Sequence, residues 1–178
     1  MMCAGSRSAG ALLLAASLLV GALPASAQEP SPDQFVEVYG DWTVRCNAAE
    51  GAAEGAAPVC VMQQQLSARA ADGRQQNILN LVLTLVDDLP TFTAITPLGV
   101  DLGAGMGLSV GTLERTLAYR TCRPRGCVVR ADLDGDTVAA FRAGDEALFV
   151  IPFVNGQTVN ASVSLTGFSA AWARLSQL

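Results

Sequence analysis

The stretch that decides the fold runs Asn77-Ile78-Leu79-Asn80-Leu81-Val82-Leu83-Thr84-Leu85-Val86. Leu79, Leu81, Leu83 and Leu85 fall on one face and Ile78, Asn80, Val82 and Thr84 on the other. That is the period of a β-strand with one side in a core and the other half-exposed. Residues 158–165 repeat the pattern, with Val159, Ala161, Val163 and Leu165 alternating with Thr158, Asn160, Ser162 and Ser164. Shorter runs of the same kind occupy 41–46, 59–66, 90–96, 108–110, 116–122, 127–131 and 147–153. Many short strands at regular spacing predict a mainly β fold, an antiparallel β-sandwich. Helix is confined to two short segments. Asp136 can cap a turn over 137–142 that Gly144 stops, and Phe168, Ala171, Trp172 and Leu175 lie at helical spacing, predicting a short helix that closes one open end.

Between the last two strands lies Val154-Asn155-Gly156-Gln157. A two-residue Asn-Gly loop would pair Val154 with Gln157 and put Phe149, Ile151 and Phe153 with the polar set Thr158, Asn160 and Ser162. A three-residue loop shifts the pairing by one, joins those apolar side chains to Val159, Ala161 and Val163, and gives Gly156 the left-handed bulge position. Burial favours the second register. The rival reading leaves the aromatic face bare as a partner-binding stripe.

The first 27 residues read as an address rather than as structure. Arg7 and the terminal amine precede an unbroken apolar stretch from Ala11 to Leu23, and Ala25-Ser26-Ala27 supplies small residues at a cut before Gln28. This is the three-part pattern of a secretory signal peptide, with an apolar stretch too short to span a bilayer. Residues 28–36 read as a flexible lead-in and 37–178 as one β-sandwich domain, with no membrane-spanning segment after cleavage.

An exported chain meets an oxidising compartment, and four cysteines remain beyond the leader. Three pairings are possible. Cys46–Cys60 with Cys122–Cys127 needs only that each connector reverse the chain, and Arg-Pro-Arg-Gly between the second pair is turn chemistry, so geometry favours two local disulfides over the crossed alternatives. Zinc is the competing use. Cys122 and Cys127 have knuckle-like spacing, but Cys46 and Cys60 do not, and no histidine exists to complete a mixed site.

Composition removes whole classes of function. The 178 residues contain no histidine, and all 11 cations are arginine. A Ser-His-Asp triad, a histidine base and a catalytic lysine are therefore excluded. The formal net charge of −5 argues against nucleic acid as a partner. No cofactor motif is present: Gly103, Gly105 and Gly107 are spaced G-x-G-x-G with no helix behind them.

Tyr39-Gly40-Asp41-Trp42-Thr43-Val44-Arg45-Cys46, Pro97-Leu98-Gly99-Val100, Tyr119-Arg120-Thr121-Cys122 with Gly126-Cys127, and Val163-Ser164-Leu165-Thr166-Gly167-Phe168 together give the chain a likeness. In order and spacing it resembles the invasion-associated locus B family of bacterial exported proteins over nearly all of the chain beyond the leader. It departs from that pattern at Asp101 to Gly107, where a proline is expected. The resemblance implies a small disulfide-bearing β-sandwich in the periplasm or at the cell surface, with a part in host-cell invasion. It implies no reaction and carries no catalytic residues over.

Two clusters remain as candidate sites. Asp132-Leu133-Asp134-Gly135-Asp136 invites a calcium loop, but its glycine is fourth rather than sixth and the twelfth position is Ala143, so no metal is assigned. The same aspartates could supply paired carboxylates to a secreted hydrolase, or simply solvate a turn and cap a helix. Arg115, Arg120, Arg123, Arg125 and Arg130 crowd into one short segment. Arg120, Arg123, Arg125 and Arg130 form the candidate anion-binding set, fitted to an anionic glycan, a lipid head group or an acidic protein of the envelope or host surface. With Cys122 opposite Cys127, Arg130 should oppose Tyr119 and lie on the face away from Arg120, leaving Arg123 and Arg125 together at the turn. The leading expectation is a non-enzymatic exported binding protein. A carboxylate hydrolase and a purely structural envelope component are the alternatives.

Overall fold

The computed structural model describes residues 35–47, 58–69, 73–86 and 89–178; the segment read as a leader, nearly all of the expected lead-in and residues 48–57 of the connector between Cys46 and Cys60 lie outside the described residues. Among the described residues, eleven strands and two helices follow in chain order: β1 Phe35–Tyr39, β2 Trp42–Asn47, β3 Val59–Arg69, β4 Gln75–Val86, β5 Leu89–Thr96, β6 Met106–Val110, β7 Leu113–Leu117, β8 Tyr119–Arg123, β9 Gly126–Asp132, α1 Gly135–Ala143, β10 Glu146–Pro152, β11 Thr158–Ser164 and α2 Phe168–Leu175. They form two antiparallel sheets, one ordered β1-β2-β3-β4-β5-β9-β8 and the other β11-β10-β6-β7.

The alternation of β4 does what its leucines dictate. Leu79, Leu81 and Leu83 are fully buried on the inner face, as are Phe92 and Ala94 of β5. Met106, Phe149 and Ile151 of the smaller sheet are buried against them. Phe92 and Phe149 stack across the layers with ring centroids 5.9 Å apart. Burying one such side chain contributes about 1.5–3 kcal/mol, so this seam contributes several such increments to stability.

The register of β10 and β11 is that of the three-residue loop. Ile151 faces Val159 and Phe149 faces Ala161, the Phe153 amide donates to the Gln157 carbonyl at 2.8 Å, and Gly156 sits at φ +82°. Phe149 and Ile151 are inside, which overturns the exposed aromatic stripe.

Three features differ from the sequence reading, each for a physical reason. The strand expected over 116–122 is two strands in different sheets, β7 and β8, with the chain crossing at Ala118. Leu117 and Tyr119 both pack on the core, so the alternation stays in phase through the corner and conceals it. Phe35 and Val36, read as the end of the lead-in, begin β1. This edge strand is short and carries a charge at its centre, Glu37, which accepts from Arg174 Nε at 2.8 Å and from the Tyr39 hydroxyl at 2.7 Å. Finally, α2 completes a layer instead of closing an end. The small sheet has too few strands to cover the large one, and α2 packs against β1, β2 and β3 in their place. Phe168 meets Trp42 edge-on at 5.2 Å, and the Trp42 indole donates to the Ser164 carbonyl at 3.0 Å.

Two glycines seat this last turn. Gly40 and Gly167 have positive φ, and a Cβ on Gly167 would meet the Tyr39 carbonyl while one on Gly40 would meet the Thr166 carbonyl. The Asp41 amide donates to Thr166 across the same contact. Only residues without a side chain allow so close an approach.

Candidate functional site

The two charged clusters sit at opposite ends of the sandwich. Strand β9 runs from Cys127, opposite Thr96, to Asp132, opposite Thr91. Its start therefore lies where β5 ends, and its finish where β5 begins.

At the finish, Asp134 is occupied with local structure. Asp134, rather than the expected Asp136, is the N-cap of α1. Its extended backbone lets Oδ1 accept from both the amide and the hydroxyl of Thr137, while Asp136 already lies in the first helical turn. Arg115 Nη2 approaches Asp134 Oδ2 at 3.5 Å. The Thr137 hydroxyl and amide, with a smaller contribution from Arg115, hold the Asp134 carboxyl below its ordinary value. A general acid needs the opposite shift. Asp132 closes β9 on the outer face. Among the described residues no three acidic or cysteine side chains gather as a metal would require.

The arginines are divided by the fold. Arg115, paired with Asp134, belongs to the acidic end. Arg130 points from the outer face of the large sheet, in line with Thr93 of β5. A β-bulge falls between Tyr119 and Thr121, so Tyr119 opposes Val129 and not Arg130 as a regular ladder would have it; Arg120 is the extra, unpaired residue. Arg123 and Arg125 alone share one place, the turn joining β8 to β9. Both are exposed. No guanidinium of Arg120, Arg123, Arg125 or Arg130 forms an ion pair or hydrogen bond with another described residue.

That turn is held firmly. Cys122 is bonded to Cys127, as Cys46 is to Cys60. Gly126 has φ +139°, and a Cβ there would strike the Thr96 carbonyl, so the turn seats directly on the end of β5. Thr96 Oγ1 donates to the Cys127 carbonyl at 3.4 Å. Tyr119 reaches toward the same threonine, and its burial pushes its phenol upward.

Sequence reasoning missed what surrounds the turn. The loop after Thr96 is bridged to the β10–β11 hairpin by a pairing of Val100 with Phe153. The Asp101 amide donates to Pro152 at 2.8 Å and the Val154 amide to Gly99 at 3.0 Å. On this linked pair of loops Leu98, Leu102 and Val154 are 55%, 54% and 75% exposed. The available signal was a large aliphatic residue standing in each of three turn-forming stretches, where polar residues are the rule.

Comparison with known proteins bears on the whole arrangement. The sequence profile of a family described as Invasion associated locus B (IalB) protein matches residues 42–176. Invasion protein B of Bartonella bacilliformis is 28% identical over 150 residues, an alignment covering 81% of this chain and 76% of that protein. The crystal structure of invasion associated protein b from Bartonella henselae is similar with a TM-score of 0.65 and 28% identity, over 79% of this chain and 94% of the other.

Proposed function

The chain belongs to the invasion-associated locus B family, and from that premise we propose that it is an exported, non-enzymatic binding protein of the bacterial envelope. It acts by holding anionic groups on an envelope or host surface. The observation that carries this reading is the guanidinium pair of Arg123 and Arg125, exposed on a disulfide-closed turn and free of partners among the described residues. Guanidinium groups fit carboxylate, sulfate and phosphate oxygens two at a time, and a rigid turn spares the entropy of ordering them on binding. The invasion named in the relatives suggests that the surface met is a host's. The leader over residues 1–27 and the two disulfides support delivery beyond the cytoplasm. Among the described residues no helix is long and apolar enough to cross a membrane.

The hydrolase alternative gains nothing from the aspartates, since Asp134 is engaged as a helix cap and its carboxyl is held ionised. A direct test is retention of the processed chain on immobilised sulfated and carboxylated glycans. Retention should weaken as salt rises and disappear in the double variant Arg123→Ala with Arg125→Ala. Equal retention of that variant would end the arginine reading, and no retention of the parent chain would favour a purely structural component.

A further inference from the structure

The arginine turn and the three exposed aliphatic residues occupy the same end of the sandwich. Gly126 packs on Thr96, and Leu98 follows Thr96 by two residues, so its Cα lies within roughly 7 Å of the Thr96 Cα. Leu102 and Val154 stand on the loops bridged at Val100 and Phe153. We propose that this end docks on an anionic lipid bilayer, with Leu98, Leu102 and Val154 entering the boundary between head groups and acyl chains and Arg123 and Arg125 meeting lipid phosphates.

Charge complementarity selects this occupant. Of residues 97–105, 123–126 and 153–157, Asp101 is the sole carboxylate, and its Oδ1 already accepts from the amides of Gly103 and Ala104. Glu114, Asp132, Asp134, Asp136, Asp145 and Glu146 lie toward the opposite end, so an anionic plane repels that end and attracts this one. A chain of net negative charge can thereby approach a negative surface in one orientation. A soluble anion would use the arginines but leave three large aliphatic side chains in water. A bilayer uses both. The loops carrying them are cross-bonded to each other and to the sheets, so the apolar atoms stay outward instead of collapsing onto the core.

This proposal rests on the arginine reading above, and the experiment separates the two. The processed chain is floated with vesicles of pure zwitterionic lipid or of the same lipid with a third of anionic phospholipid, at rising salt. A sulfated glycan is assayed in parallel. Binding should be confined to the anionic vesicles and fall with salt. Arg123→Ala with Arg125→Ala should weaken it about 25-fold, at some fivefold per cation near such a surface. Leu98→Ser with Leu102→Ser and Val154→Ser should weaken it by roughly 100-fold or more, given the apolar area withdrawn from water. These side chains are exposed, so unfolding is not the expected cause, and an unchanged thermal midpoint checks that. Tryptophan placed by Leu102→Trp should be quenched by brominated lipid. If the triple serine variant binds vesicles like the parent chain, the aliphatic residues do not enter the bilayer and the docking proposal fails while the arginine reading survives; if the glycan is held and the vesicles are not, the bilayer is the wrong partner and the arginine reading again survives. If neither surface is held, both fail.

Discussion

The two ends of this sandwich are built from the same parts and differ in sign. Each carries exposed aliphatic side chains: Leu98, Leu102 and Val154 at one end, Val86 and Leu89 at the other. Each also has a positive-φ glycine in a hairpin, Gly126 and Gly111. At the first end the charges beside them are Arg123 and Arg125, with Asp101 the one carboxylate on those loops; at the second, aspartates and glutamates outnumber Arg115, and Asp87-Asp88 separates the two aliphatic residues in sequence. Apolar exposure alone therefore does not distinguish a docking end from an ordinary turn. The sign of the charge around it does. The local structure differs as well, because Asp134 at the α1 end is taken up by capping and pairing while Arg123 and Arg125 have no such duty among the described residues.

The sharpest way to break this contrast is at the two glycines. Gly126 is both left-handed and packed against the Thr96 carbonyl, whereas a Cβ on Gly111 would meet nothing. Gly126→Val should cost about 3 kcal/mol or more, lower the thermal midpoint by roughly 6–12 °C, and weaken vesicle binding by up to the roughly 25-fold of the double arginine variant by unseating the turn. Gly111→Ala should cost only about 1–2 kcal/mol of backbone strain and leave binding intact. Calorimetry with the vesicle assay reads both, and equal effects on binding would remove the distinction between the ends.

The disulfides give a second separation. Chain entropy assigns about 3 kcal/mol to closing the longer Cys46–Cys60 loop and about 2 kcal/mol to the Cys122–Cys127 loop. Paired serine replacements should therefore rank in that order in denaturant midpoint. Binding should follow the reverse order, falling only when the Cys122–Cys127 link beneath the arginines is removed. Loss of binding on removal of Cys46–Cys60 would mean that global stability, rather than the turn, controls the site.

Most of the fold was legible because burial and alternation agree in β4, β10 and β11, where a slip of one residue would expose every leucine or phenylalanine. The corner at Ala118 was not, since Leu117 and Tyr119 keep the same phase on both sides of it. The bulge at Arg120 was equally silent, for no residue type demands it. The segments that carry the family resemblance prove to be joints: Gly40 against Gly167, Gly126 against Thr96, and the loop around Val100 bridged to Phe153. A resemblance resting on joints transmits the scaffold well and the binding surface poorly. The aliphatic end was hidden because it is assembled from two loops about 50 residues apart in the chain, brought together by the Val100–Phe153 bridge and its flanking hydrogen bonds.

A smaller effect belongs to the acidic end. Asp134→Ala removes the cap of α1 and should lower the thermal midpoint at neutral pH without changing anion binding. The Asp134 carboxyl is held below its ordinary value chiefly by Thr137. Its stabilisation is thus fully present above the ordinary aspartate range and is lost as pH falls through the lowered folded value. Thermal midpoints of parent and variant should differ at pH 7 and converge on acidification. A gap that widens in acid would show that the carboxyl is not acting as an ionised cap.

The least expected change is at Arg130, and it tests whether placement matters more than charge count. Arg130 shares the cluster in sequence, but it points from the outer face of the large sheet beside Thr93, five residues along β9 from Arg125 and away from the turn. Strand residues rise about 3.3 Å each, so that separation exceeds the reach of screened attraction at physiological salt. Arg130→Ala should leave vesicle binding within about twofold of the parent, although it removes the same unit charge as Arg125→Ala, which should cost about fivefold. Equal losses from the two replacements would mean that the surface responds to net charge, and that the end assembled from Arg123, Arg125, Leu98, Leu102 and Val154 has no separate standing.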